Sequence, residues 1–136
     1  MPIFAEYRPL FKISQILLIL FLNSRGGKSS LIRMQLFNWS LKDPLRVKVL
    51  TIAANSGVLN LNVWGMDPSL NSAIQFGMAE GLIERNSNGI SITEAGRKYV
   101  GAILKDEEFK GIYSVLIDIG KSITEKMVTQ SSESWG

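Results

Sequence analysis

Gly27-Lys28-Ser29 is the segment that most resembles chemistry: it follows the apolar run Ile16 to Leu22 and precedes a helical pattern, as the end of a phosphate-binding loop does. A nucleotide-hydrolysing site needs a further glycine five residues before Gly27, and Leu22 stands there. Its magnesium-holding aspartate would be Asp118, after Val115-Leu116-Ile117, yet Asp118 falls inside a helical repeat. Ser29 or Ser30 as a helix cap accounts for the same residues. The chain has no Cys and no His, which removes thiol nucleophiles, imidazole bases, disulfides and zinc sites of the usual kind. Glu107 and Glu108 are the nearest approach to paired carboxylates, and their place at a helix start suits the helix dipole. The expectation is a protein that is not an enzyme and needs no cofactor or metal.

A binding role makes the charge distribution informative. Residues 1–60 hold eight Lys or Arg against Glu6 and Asp43, whereas the remainder holds seven against ten acids. Such a split suggests a charged partner surface rather than a uniformly DNA-coating protein. At 136 residues, 46% apolar and 20% charged, the chain is long enough for one domain with a real core. The run Ile16 to Leu22 is seven residues, about a third of what spans a bilayer, and Asn23-Ser24-Arg25 after it is no signal cleavage site. A cytoplasmic protein without a membrane segment is expected.

The elements that would position these residues follow from spacing. Pro9 opens a helix buried on most sides, with Leu10, Ile13, Ile16, Leu17, Leu20 and Phe21 at helical spacing, and Gly26-Gly27 ends it. A second helix carries Leu31, Met34, Phe37 and Leu41 on its inward stripe, and Asp43-Pro44 opens a third that runs to about Asn55. Gly57 to Trp64 alternates, predicting a short half-buried strand. Asp67-Pro68 opens a helix with Leu70, Ala73, Ile74, Gly77 and Met78 on one face. Leu82 to Arg85 and Ile90 to Ile92 read as hairpin strands around Asn86-Ser87-Asn88-Gly89, and Thr93 caps the next helix. From Asp106 a single amphipathic helix of about 20 residues is expected, and 130–136 reads as a flexible tail after a single domain over 1–129. Ile16, Leu20, Phe37, Leu50, Ile74, Met78, Ile83, Ile92 and Leu116 are the expected core.

Gly81 to Val100, with its Gly-Leu-Ile, polar turn, strand and Thr-x-x-Gly, resembles the end of a winged helix-turn-helix domain. The fold class this implies is mainly α: a winged helix-turn-helix with a small β-hairpin wing, followed here by a C-terminal amphipathic helix. Winged helices bind DNA and also serve as docking modules. DNA binding calls for cations on the helix before the wing, but no Lys or Arg lies between Lys48 and Arg85. Weak, salt-sensitive DNA contact would fall to Arg25, Lys28, Arg33, Arg46, Lys48 and Arg85. The terminal stripe of Phe109, Ile112, Leu116, Ile119 and Ile123 is longer than its neighbours can cover and is expected to meet a partner.

Arg33 to Leu41, with the buried helix before it and the wing after it, is similar to the small winged-helix middle components of bacterial three-component ABC systems, of which Lamassu-like anti-phage systems are examples. The resemblance implies an accessory subunit that docks on an SMC- or Rad50-like ATPase and couples it to an effector subunit in antiviral defence. The alternative is a stand-alone winged-helix transcription regulator.

Overall fold

The computed structural model describes residues 9–61 and 64–133. Helix α1 (Pro9–Asn23) lies at its centre, with α4 (Pro68–Ala79), α5 (Glu94–Ile103) and α6 (Lys110–Ile119) packed around it. Ile13 and the consecutive residues Ile16 to Leu20 are fully buried. A helix apolar all round has to be wrapped on every side, and each such side chain contributes about 1.5–3 kcal/mol on burial. α4 comes close to α1 at Gly77, where a Cβ would sit 2.3 Å from Ile13 Cδ1.

After α1 a 3-10 turn at Arg25–Gly27 leads into β1 (Lys28–Ser29), then α2 (Leu31–Ser40) and α3 (Pro44–Ser56). The helix starts follow the cap residues: Ser30 Oγ accepts the Arg33 amide, Asp43 the Leu45 amide, Asp67 the Ser69 amide and Thr93 the Gly96 amide. Strands β2 (Ile83–Asn86) and β3 (Gly89–Ile92) form the expected hairpin, and β1 adds to its other side, making an antiparallel sheet in the order β1-β3-β2. Ser29 lies opposite Ile90. Gly89 makes this possible: its φ is 156°, and a Cβ there would fall 2.1 Å from the Ser29 carbonyl oxygen. The result is a mainly helical protein with a small three-stranded sheet.

Four expectations are corrected. Residues 57–61 and Trp64 form no strand, because the alternating segment finds no neighbouring strand to pair with, while Asn62 and Val63 lie outside the described residues. The terminal helix is broken in two: a 3-10 turn at Glu107–Phe109 leads into α6, and α7 (Glu125–Glu133) follows a break at Gly120, whose φ of 62° and ψ of −147° cannot continue a helix. The expected tail is helical over 130–133, held at Ser131, whose hydroxyl donates to the Leu61 carbonyl; residues 134–136 lie outside the described set. Met78 is 39% exposed, whereas the other eight expected core residues are buried. Eight residues beyond Leu70, it is turned about 80° away from that side chain.

Candidate functional site

A cleft of about 760 Å³ opens between three segments: the loop from Asn23 to Ser30, the hairpin turn Asn86 to Asn88, and the stretch from Lys121 to Lys126 that covers the α6–α7 joint and the start of α7. Among the described residues its walls carry five cations, Arg25, Lys28, Arg33, Lys121 and Lys126, against one carboxylate, Glu125. The Gly-Lys-Ser motif lies here, but its backbone is committed to structure. Gly27 N–H donates to the Ser24 carbonyl, Lys28 N–H to the Arg25 carbonyl, and the chain then enters β1.

Arg33 forms the floor and is only 3% exposed. Its Nε donates to the Ile123 carbonyl at 2.8 Å, Nη1 to Ser24 Oγ at 2.9 Å and Ser29 Oγ at 3.3 Å, and Nη2 to the Asn23 carbonyl. The guanidinium also lies 4.9 Å from the Phe37 ring centre. Burial disfavours its charge and lowers its pKa, and the Glu125 carboxylate offsets part of that. Glu125 in turn accepts the Ser30 amide at 2.9 Å and the Ser30 hydroxyl at 2.6 Å, so a carboxylate from 95 residues away sits at the start of α2. Arg33 and Glu125 thus tie the loop and α2 to the α6–α7 joint.

At the other end of α2 a second polar cluster surrounds Asp67. Its carboxylate accepts Lys42 Nζ at 2.9 Å, Asn38 Nδ2 at 3.1 Å, Lys12 Nζ at 3.3 Å, and both the amide and hydroxyl of Ser69. Gln35 adds a bond to each side of the Asp67 backbone. Burial alone would raise its pKa, but the bonds from Lys42, Ser69 and Asn38 outweigh it and hold the carboxyl far below the usual range. Lys12 is 2% exposed. This cluster joins α1, α2 and α4 and is satisfied within the protein.

The sequence-predicted site residues therefore separate. Arg25 and Lys28 line the cleft with exposed side chains, but Arg33 is a buried structural cation and cannot reach a phosphate backbone. Arg46 stacks 4.2 Å over the Trp39 ring and donates to the Trp39 carbonyl at 3.1 Å, while Lys48 and Arg85 are exposed outside the cleft. Lys121 and Lys126 were missed; Lys121 directly follows the break at Gly120 that sequence periodicity passed over, and Lys126 lies in the first turn of α7. The partner stripe is corrected as well. Phe109, Leu116, Ile119 and Ile123 are at most 6% exposed, and Ile112 is half-buried. Phe109 stacks on Phe11 with ring centres 5.0 Å apart, because α6 covers a side of α1 that α5 leaves open. On α4 the exposed residues include Asn71, Ser72, Gln75 and Phe76, with no cation among them.

Comparison with known proteins finds no matching family model, no similar curated protein and no similar solved structure. Among the described residues no helix is long and apolar enough to cross a membrane.

Proposed function

We propose that the chain is a winged helix-turn-helix accessory subunit, without catalysis of its own, that docks on an SMC- or Rad50-like ATPase and couples it to an effector in antiviral defence within the bacterial cytoplasm. The sheet order β1-β3-β2, with α4 running directly into the hairpin, supports the winged-helix assignment. The observation that carries docking over base reading is the uncharged exposed face of α4: it has no cation to hold a phosphate backbone. The ATPase itself comes from the resemblance around Arg33 to Leu41.

With the α6 stripe buried, the contact is assigned to α3, where Leu45 is 73% and Ile52 is 55% exposed seven residues apart on one side of the helix. The test is co-expression of the full chain with the coiled-coil ATPase expected to be encoded beside it. Co-elution is expected, and Leu45→Asp with Ile52→Asp is expected to abolish it while leaving the thermal unfolding of the chain unchanged. Separate elution of the two wild-type proteins would reject docking. Tight, sequence-selective duplex binding that is lost in Asn71→Ala with Gln75→Ala would instead establish the regulator function.

A further inference from the structure

We propose that the basic cleft beside the hairpin binds a compact oligophosphate, adjacent phosphates as carried by inorganic polyphosphate or by a nucleoside triphosphate. It goes beyond docking and involves a different face from Leu45 and Ile52. Arg25 and Lys28 stand on one wall and Lys121 and Lys126 on another, all four exposed, and none of them forms an ion pair among the described residues. Arg33 adds a fixed positive charge beneath them, its guanidinium held by four hydrogen bonds to the protein.

Cations on facing walls of a concave site concentrate positive potential in the space between them, which favours a small ligand of high charge density. The volume is that of a small-molecule site. A duplex would instead call for cations along an outward track, and Arg46, Lys48 and Arg85 do not line this cleft. Ser87, Asn88 and Thr124 offer neutral donors to further phosphate oxygens. Among the described residues no aromatic side chain lines the cleft, so a base finds no stacking surface there and the phosphates carry recognition.

Glu125 sharpens the test. Its two oxygens already accept from the Ser30 amide and hydroxyl, which puts an anion at the start of α2, and its charge opposes any phosphate placed beside it. Neutralising it is expected to strengthen binding, an outcome that a merely structural role would not produce.

The experiment is calorimetric titration of the full chain with sodium tripolyphosphate, a nucleoside triphosphate and a short DNA duplex at physiological ionic strength. Saturable tripolyphosphate binding is expected. Lys28→Ala with Lys121→Ala should weaken it about tenfold or more, Glu125→Gln should tighten it about threefold, and Arg46→Ala should leave it unchanged. Should the double variant lose its fold by circular dichroism, Lys126→Ala carries the same expectation of weakened binding. Equal affinity for tripolyphosphate and the nucleotide supports a phosphate-only ligand, and tighter nucleotide binding supports the nucleotide as its source. Absence of tripolyphosphate binding, binding indifferent to the lysine changes, or displacement of tripolyphosphate by the duplex at lower concentration would overturn the proposal.

Discussion

The two ends of α2 handle charge in opposite ways. At the Asp67 end, Lys12 and Lys42 share one carboxylate that also receives Asn38 and Ser69, so each of these charges meets an opposite one within the protein. At the Ser30 end the lone carboxylate of Glu125 is bonded to Ser30, and four exposed cations around it have no acidic partner among the described residues. A satisfied cluster holds helices together, since removing one member strands the others in low dielectric. A surplus of like charge in a concave site does nothing for the fold and raises the local concentration of anions. The same residue types therefore do structural work at one end and are left available for binding at the other.

The contrast can be broken most strongly at Asp67. Asp67→Ala is expected to cost about 3–5 kcal/mol, because buried Lys12 loses a carboxylate that helps neutralise it; urea denaturation measures it. Arg33→Ala should cost about 3 kcal/mol by the same measurement, since the carbonyls of Asn23 and Ile123 are left without their donor. Gly89→Ala should cost about 2 kcal/mol, through the clash with the Ser29 carbonyl, and should free β1 from the sheet in hydrogen exchange. Arg25→Ala and Lys28→Ala should each change stability by less than about 0.5 kcal/mol, as exposed cations without a partner do.

Acid sharpens the same contrast. The Asp67 carboxyl is held below its unfolded pKa of about 3.9, so its stabilisation is complete above that pH and is lost as pH falls further. Wild type should therefore lose stability steeply below about pH 4, while Asp67→Asn, already weakened, should show a shallower acid limb in unfolding curves.

Local signals in the chain were readable and distant ones were not. Asp43-Pro44, Asp67-Pro68 and Thr93 start helices where caps predict them, and Asn86 to Gly89 turns the hairpin, because those preferences act over four or five residues. Periodicity also marked Leu116, Ile119 and Ile123 as one apolar stripe, but it reports that a face is buried and not against what; α1 turned out to be part of the cover. The two-residue strand β1 was too short to carry a period. The cleft was legible only in pieces, with Arg25 and Lys28 in one basic cluster. Lys121 and Lys126 join them through a break at Gly120 that the three-four spacing of Ile119 and Ile123 spans without a gap. Arg33 looked like its exposed neighbours because composition does not reveal that α2 is buried on nearly every side.

The difference between the two ends is tested most directly by the urea unfolding of wild type and of Lys28→Ala with Lys121→Ala, each with and without saturating tripolyphosphate. A ligand that binds only the folded state at a hundred times its Kd adds about 2.7 kcal/mol. Wild type is expected to gain stability of that order and the double variant much less at the same concentration, with the two equally stable when tripolyphosphate is left out. Equal gains in both proteins, or none in wild type, would contradict a cleft whose surplus charge serves an anionic ligand.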